Sequence, residues 1–224
     1  MTFSKEWDQA YRDGTQMSVW PWSDLVGYVK RYMKPLKSKM RVLELGCGAG
    51  ANIPFFLQLD AEYYAIEGSP AIVKVLWKRF PKIKKNIVVG DFTKEIPFKG
   101  SFDLVVDRSS MTHNTTKSIR EALDMIHSKL VPGGKYIGID WFSTRDHGFK
   151  LGKSAGDAYT REKFPPGRFL RVGRTHFSDQ AHLKSLFKKF NLEIMEHKTV
   201  EIKQPANSGM SAAWNFVAVR RDVK

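Results

Sequence analysis

The chain has 224 residues, 42% of them hydrophobic, with a formal charge of +14 and one cysteine, and this length and apolar content predict a single domain over 1–224 with a buried core. No apolar run is long enough for a transmembrane helix, and the charged N-terminus does not resemble a signal peptide. A lone cysteine excludes an internal disulfide, which suits a reducing compartment. A cytoplasmic protein is therefore expected. The positive charge favours an acidic partner, either a small anionic molecule or, less favoured, nucleic acid.

Apolar strands and amphipathic helices alternate through the core segment 40–142. Strands are predicted at 40–46, 62–68, 85–91, 101–109 and 135–142. Helices are predicted at 50–59, 69–80 and 116–134. Such alternation implies right-handed parallel crossovers, and it predicts an α/β fold with a doubly wound, Rossmann-like sheet.

Three segments flank or follow this core. Residues 1–39 carry the aromatic sequences "WDQAYRDG" and "WPW", and they predict an N-terminal cap and helix that could cover a ligand. Residues 143–177 lack periodicity and predict a substrate-covering insertion, since long irregular stretches in compact domains are commonly functional. Residues 178–224 predict a last helix and two strands joined by a turn at 203–211. The result is a seven-stranded sheet, mostly parallel with an antiparallel final strand.

A glycine-rich loop follows the first predicted strand in "RVLELGCGAGANIPFF". Gly46, Gly48 and Gly50 permit a sharp turn and a close approach of the backbone to a ligand. The following helix N-terminus favours negative ligand groups. Several classes of nucleotide-binding protein share such a glycine triplet, so the loop alone does not identify the ligand.

Acidic residues lie at or near the ends of four successive predicted strands: Glu44, Glu67, Asp91 and Asp107. An acid at the position of Glu67 can accept hydrogen bonds from both ribose hydroxyls. Glu44 can brace the loop or meet an ammonium group. Four acids around the loop do not suit a pyrophosphate. They suit a cationic, ribose-bearing ligand with an amino group, and we therefore predict S-adenosylmethionine as the cofactor.

These motifs together resemble the class I S-adenosylmethionine-dependent methyltransferases. The resemblance covers 40–142 through "VLELGCGAG", Glu67, "GDF", "FDLVVDRSS" and "KLVPGGKYIGID", and it extends through the last helix and strand pair. The N-terminal "WDQAYRDG" and "WPW" are similar to the cap of small-molecule methyltransferases of the thiopurine and tellurite type. The loop "DRSSMTHNT" departs from the "[DNS]PP[YFW]" motif of adenine-N6 methyltransferases, which argues against that chemistry.

The resemblance implies a set of cofactor-binding residues in the cap, the glycine loop and the strand ends. Glu67 would hold the ribose, and Asp91 would bond the adenine amino group with Phe92 beside its ring. Asp107 and Arg108 would lie near the methionine end and the acceptor. The full set is Tyr11, Trp20, Glu44, Gly46, Cys47, Gly48, Asn52, Glu67, Gly68, Asp91, Phe92 and Asp107.

Histidines supply the candidates for a catalytic base. Methyl transfer from a sulfonium is an in-line displacement, and a hydroxyl acceptor must also lose a proton, most often to histidine. His113, in the loop after the fourth strand, is the first candidate, with Arg108 beside it. His147 and His176, near the two ends of the insertion, are the alternatives. No group of His and Cys has metal-ligand spacing, so no metal is expected.

Arginines in "RFLRVGR" predict the charge of the acceptor. Arg168 and Arg171 would form a cationic rim if this stretch is extended, and guanidinium groups suit phosphate or carboxylate. We therefore expect O-methylation of a small or glycan-like, acidic acceptor. An equally weighted interpretation is that these arginines serve solubility alone.

Three other functions stay open at this point. The charge of +14 favours an RNA methyltransferase, although no appended RNA-binding module is visible in the sequence. An NAD-dependent oxidoreductase would need a later third glycine and fewer acids at the strand ends. A non-catalytic relative with the same fold is the third alternative.

Overall fold

The computed structural model describes residues 5–201, 203–204 and 209–221. Part of the turn predicted at 203–211 and the first four residues of the cap lie outside the described residues. The helices are α1 Lys5–Arg12, α2 Ser23–Tyr32, α3 Ile53–Gln58, α4 Pro70–Arg79, α5 Thr116–Lys129, α6 Gly148–Leu151 and α7 Gln180–Leu186, with 3₁₀ turns at Pro81–Asn86 and Met111–His113. The strands are β1 Arg41–Leu45, β2 Glu62–Glu67, β3 Ile87–Val89, β4 Phe102–Arg108, β5 Leu130–Phe142, β6 Lys153–Ser154, β7 Thr160–Glu162, β8 Thr175–His176, β9 Phe190–Glu201 and β10 Met210–Arg220.

The main sheet has seven strands in the order β3-β2-β1-β4-β5-β10-β9. The first five strands of the chain pair in parallel, and β10 runs antiparallel between β5 and β9. The prediction of a Rossmann-like, mostly parallel sheet with a reversed final strand is confirmed. Strand order reverses between β1 and β4, and a ligand crevice is expected at the carboxyl ends of strands beside such a reversal.

Apolar side chains pack on both faces of this sheet. On one face an aromatic group that includes Trp141, Phe187 and Phe216 packs against α5 and α7. On the other face α2, α3 and α4 contribute a second cluster that includes Phe56 and Leu76. Burial on both sides explains why the parallel strands read as nearly continuous apolar runs.

The predicted end of the helix at 116–134 is wrong. Helix α5 ends at Lys129, and Leu130 already has extended backbone angles. Pro132 could not donate a helical hydrogen bond, and the residue before a proline disfavours helical angles. Between the pairs Phe102–Leu130 and Leu104–Lys135 the register shifts. The Pro-Gly-Gly stretch is therefore an irregularity inside β5.

The insertion at 143–177 was expected to be irregular, but it contains α6 and a three-stranded antiparallel sheet of β6, β7 and β8. Phe142, Phe169 and Phe177 form a small apolar core there. These aromatic residues are spaced too unevenly to produce a periodic pattern, which is why the sequence did not predict the elements. A role in covering substrate stays a prediction.

A substitution at Gly138 in β5 tests how tightly the aromatic side chains pack on this face of the sheet. A Cβ at this position would lie 2.4–2.9 Å from three atoms of the Phe216 ring, which is fully buried. We expect Gly138→Ala to lower the free energy of unfolding by about 1–3 kcal/mol, since overpacking displaces buried groups.

Gly27 in the middle of α2 is the matched control, because a Cβ there meets nothing within 4 Å. Gly27→Ala should leave stability unchanged or raise it by about 0.5–1 kcal/mol through helix propensity. Urea unfolding of both variants measures the difference. Equal effects of the two substitutions would contradict the described packing.

Candidate active site

A cavity of about 180 Å³ opens at the carboxyl edge of the sheet. It brings together most of the residues chosen from the sequence: Tyr11, Glu44, Gly46, Cys47, Gly48, Asn52, Glu67, Gly68, Asp91, Phe92, Arg108 and His113. Further lining residues that sequence reasoning missed are Trp7, Gln16, Ser18, Trp22, Ser109, Ser110 and Asn114. The cavity is therefore built from the strand ends below and the N-terminal segment above.

The glycine loop after β1 has three glycines with left-handed backbone angles, and two of them, Gly46 and Gly48, line the cavity. Gly46 has φ +65° and Gly48 has φ +52°. A Cβ at Gly46 would lie 2.4 Å from Cβ of Ser110, and one at Gly48 would lie 2.9 Å from the Tyr11 hydroxyl. Backbone conformation and close neighbours both require glycine here, which leaves the loop backbone exposed to the cavity.

Glu67 ends β2 and holds the glycine loop. Its carboxylate accepts hydrogen bonds from the backbone N–H of Gly48 (2.8 Å) and of Ser69 (3.0 Å). The side chain is buried, and burial raises the pKa of Glu67 above its ordinary value, although the backbone donors oppose that shift. Glu67 forms no ion pair with the Lys and Arg residues that the structure describes, so its charge lacks a cation.

Glu44 lies in β1, directly beneath the loop. It accepts hydrogen bonds from Asn52 Nδ2 (2.8 Å) and from the Tyr63 hydroxyl (2.5 Å). Burial raises the pKa of Glu44 to about 7, and the two hydrogen bonds only partly offset that effect. Asn52 also accepts a hydrogen bond from the backbone N–H of Trp22 (3.1 Å), so Glu44 is linked to the cap.

The loop after β3 contributes Asp91 and Phe92 to the lining. Asp91 Oδ1 accepts hydrogen bonds from the backbone N–H and the hydroxyl of Thr93, at 2.9 and 2.6 Å. This local turn fixes the carboxylate at the end of its strand. The aromatic ring of Phe92 and the hydrogen-bond-accepting carboxylate of Asp91 are therefore neighbours in the cavity lining.

Helix α1 closes the cavity from above and is attached through Asp8. This carboxylate accepts hydrogen bonds from the Ser69 hydroxyl and from the backbone N–H of Ala71 at the start of α4. Trp7 and Tyr11, one helical turn apart, both line the cavity. Burial, followed by the nearby Glu67 carboxylate, raises the pKa of Tyr11, so its hydroxyl stays protonated.

Trp22, not Trp20, covers the cavity beside β4. Trp20 is 80% exposed and lies outside the lining. The guanidinium carbon of Arg108 lies 3.4 Å from the centroid of the Trp22 ring, and Arg108 Nη2 pairs with Asp140 at 3.0 Å. Burial lowers the pKa of Arg108 while Asp140 opposes that shift. Arg108 thus joins the cap to the ends of β4 and β5.

His113 lies on the β4 side of the cavity, in the 3₁₀ turn that follows that strand. Its Nδ1 is 2.9 Å from the carbonyl oxygen of Arg174, and because a carbonyl only accepts, Nδ1 carries the proton and Nε2 keeps a lone pair. Burial lowers the pKa of His113 to about 4. The ring is therefore neutral near pH 7 and can accept a proton.

Asp107 lies beneath the cavity lining. It is fully buried, and it accepts hydrogen bonds from Trp141 Nε1 (2.6 Å), the Tyr136 hydroxyl (3.2 Å) and the backbone N–H of Met111 (3.0 Å). Burial raises the pKa of Asp107. Its contacts place it as a support for the turn that carries His113, and it is not among the residues that line the cavity.

The structure places the four sequence-predicted substrate residues outside the cavity lining. His147 and Arg171 are exposed, and Arg168 pairs with the buried carboxylate of Asp146 at 2.8 Å. His176 is fully buried, with Nδ1 3.1 Å from the Thr160 hydroxyl. These contacts stabilise the insertion.

The described part of the chain lacks two features, a metal-binding cluster and a membrane-spanning helix. No group of three or more His, Cys, Asp and Glu side chains among these residues is arranged to hold a metal ion. None of the helices there is both long and apolar enough to span a bilayer.

A family model described as a methyltransferase domain matches residues 22–197, whereas a search of curated protein sequences gave no match.

Three solved structures illustrate the fold. An S-adenosylmethionine-dependent methyltransferase from Methanosarcina mazei is 14% identical, with a TM-score of 0.67 over 90% of this chain and 99% of that one. TehB from Haemophilus influenzae is 16% identical, with a TM-score of 0.63 over 96% and 67%. The 1,6-didemethyltoxoflavin-N1-methyltransferase of Burkholderia thailandensis, solved with 1,6-didemethyltoxoflavin and S-adenosylhomocysteine, is 16% identical, with a TM-score of 0.66 over 97% and 87%.

The buried carboxyl of Glu44 predicts a pH-dependent difference in stability. Its pKa is about 7 in the fold and about 4.3 in an unfolded chain. Between these two pH values the folded protein holds a proton on Glu44 that the unfolded chain has lost, so the free energy of unfolding falls as pH rises. Relative to the wild type, Glu44→Gln should gain about 3 kcal/mol between pH 4 and pH 8, because each pKa unit is worth about 1.4 kcal/mol. Urea unfolding across this range measures the gain. A difference that does not vary with pH would contradict the raised pKa.

His113 predicts a specific ring state. In long-range nitrogen–proton NMR spectra of the wild type, His113 should show the Nδ1–H tautomer at pH 7 and a titration midpoint near 4. His113→Gln identifies the resonances. A midpoint near 6.5, or a proton on Nε2, would contradict the described hydrogen bond to Arg174.

Proposed function

The chain belongs to the methyltransferase-domain family and is an S-adenosylmethionine-dependent methyltransferase, and we propose that it methylates an oxygen of a small, acidic or glycan-like acceptor held in the cavity. The observation that carries this proposal is the arrangement of buried carboxylates on one side of the cavity and a neutral histidine on the other. The first group suits a cationic nucleoside, and the second suits a hydroxyl nucleophile.

The donor set fits S-adenosylmethionine. This ligand carries a sulfonium and an ammonium group, and the lining contains Glu44 and Glu67 without a Lys or Arg ion pair among the described residues. Glu67 would accept hydrogen bonds from the ribose hydroxyls. Asp91 and Phe92 would hold the adenine, while the glycine-loop backbone and Asn52 would lie along the methionine part.

The chain's own residues then orient and deprotonate the acceptor. When bound, the donor supplies an electrophilic methyl group. His113 Nε2 would accept a hydrogen bond from the acceptor hydroxyl and receive its proton as the O–C bond forms. Trp7, Tyr11 and Trp22 cover the cavity and would exclude water, so that alignment of the nucleophile with the methyl group contributes much of the remaining acceleration.

The proposal that the methyl acceptor is acidic rests on Arg108. Arg168, which pairs with Asp146, and Arg171 both lie outside the lining. Arg108 also pairs with a carboxylate, that of Asp140, but its guanidinium lines the cavity. The cap over the cavity favours a small acceptor over a polymer. A cytoplasmic site of action remains part of the proposal, and it rests on the single free cysteine, Cys47.

A screen with S-adenosylmethionine labelled in its methyl group tests the acceptor. Cell extract is separated into small metabolites, glycan precursors and RNA, and each fraction is incubated with the wild type and with His113→Gln. Label in an acidic small-molecule or glycan fraction, lost in the variant, is the expected result. Label in RNA would replace the small-acceptor proposal with RNA methylation.

We expect Glu67→Gln to lower the affinity for the cofactor. Exchanging the carboxylate for an amide weakens its charge-assisted hydrogen bonds, each worth about 1.5–3 kcal/mol, so S-adenosylhomocysteine should bind about 10–100-fold more weakly by calorimetry. Glu62→Gln is the matched control, since Glu62 lies at the opposite end of β2 and is exposed, and its affinity should equal that of the wild type. Unchanged binding in Glu67→Gln would remove the proposed ribose contact.

A further inference from the structure

We propose that Trp7 and His113 form the acceptor subsite, and that it selects a hydroxyl group with a second oxygen on the adjacent carbon. The inference rests on the proposed function and deepens it, because it names the chemical class of the acceptor. It also assigns a specific role to Trp7, which belongs to the cap motif "WDQAYRDG" but is absent from the predicted cofactor-binding residues.

An unsatisfied donor is the first observation. Trp7 lines the cavity, and its Nε1 is buried without a hydrogen-bond partner among the described residues. A buried indole N–H normally finds a partner, and leaving one unpaired costs about 1–3 kcal/mol. A ligand oxygen in the cavity would supply the missing acceptor.

A lone pair on the neighbouring ring is the second observation. The centroids of the Trp7 and His113 rings are 5.1 Å apart in an edge-on arrangement. The bond from His113 Nδ1–H to the Arg174 carbonyl leaves Nε2 as the acceptor of the ring. One hydrogen-bond donor and one acceptor therefore belong to two neighbouring rings that line the same cavity.

The position of this pair separates it from the donor side of the cavity. Tyr11, one turn further along α1, reaches Gly48, next to the carboxylate of Glu67. Trp7 instead contacts His113, which also packs edge-on against Phe142 at the end of β5. Helix α1 thus extends from the predicted nucleoside side to the β4–β5 side, where the acceptor must approach the methyl group.

The chemistry of the pair defines the ligand. One hydroxyl of the acceptor donates to His113 Nε2, and the adjacent oxygen accepts from Trp7 Nε1–H. In the transfer step this hydroxyl oxygen forms the new O–C bond as the S–C bond breaks, the electron pair returns to sulfur, and the proton passes to His113. Paired oxygens of this kind occur in aromatic diols and in the vicinal diols of sugars.

Binding of simple probes to the complex with S-adenosylhomocysteine tests the subsite. Catechol is compared with phenol, and cis-1,2-cyclohexanediol with cyclohexanol, by NMR titration of the wild type, Trp7→Phe and Trp20→Phe. Trp7→Phe keeps an aromatic ring but removes the N–H. Trp20→Phe makes the same exchange at an exposed position outside the cavity.

The wild type and Trp20→Phe should bind at least one diol about 2–10-fold more tightly than its mono-hydroxyl partner, as expected for one hydrogen bond. The aromatic or the alicyclic pair that gives the preference identifies the source of the diol. Trp7→Phe should lose the preference while binding the mono-hydroxyl probe normally. His113→Asn, as a second variant, should weaken binding of both members of a pair.

Three outcomes would overturn the subsite: no diol preference in the wild type, an unchanged preference in Trp7→Phe, or a loss in Trp7→Phe of S-adenosylhomocysteine affinity alone. In each case the wild type still binds S-adenosylhomocysteine. Failure of the wild type to bind that nucleoside would instead contradict the proposed function, so the two failures are distinguishable.

Discussion

Burial of carboxylates at the carboxyl edge of the sheet is the constraint on which the site depends. Glu44 and Glu67 are almost completely removed from water, and backbone amides, Asn52 and Tyr63 satisfy them in place of a cation. Such desolvation is costly for a charged group and raises its pKa. A cationic ligand offsets this cost, which explains why a methyl donor with a sulfonium and an ammonium group suits the cavity.

These two carboxylates, together with Asp8 and Asp24, also organise the structure around the cavity. Glu67 fixes the glycine loop, Glu44 reaches Trp22 through Asn52, and Asp8 attaches α1 to the start of α4. Asp24 in α2 accepts hydrogen bonds from Lys198 and Asn215 of the last two strands. The cap is thereby connected to the start of α4 and to β9 and β10, and it holds its aromatic residues over the site.

The sequence could predict which residues line the proposed cofactor side of the cavity, because its signals are local. A glycine loop after a strand and acids such as Glu67 and Asp91 at the following strand ends occupy fixed positions in a doubly wound fold. Asp107 belongs to the same pattern, yet its neighbours Tyr136 and Trp141 enclose it, and only tertiary packing reveals that.

The acceptor side could not be read in the same way. Of the aromatic residues in the cap, Trp7 and Trp22 line the cavity while Trp20 is exposed. The spacing of Trp7 and Tyr11 by four residues was the available signal, because such residues share one helix face. The arginines of the insertion gave a misleading signal, since Arg168 neutralises a buried Asp146 that no sequence pattern connects to it.

In this account the buried carboxylates Glu44 and Glu67 receive a cationic nucleoside, and Glu44, whose pKa is about 7, is partly protonated before it binds. Calorimetric titration with S-adenosylmethionine at pH 7, in buffers of different ionisation enthalpy, tests this claim most directly. The account predicts binding with release of a substantial fraction of a proton, reduced in Glu44→Gln, because the cation lowers the pKa of Glu44 from about 7. Binding without proton release, or no binding, would contradict it.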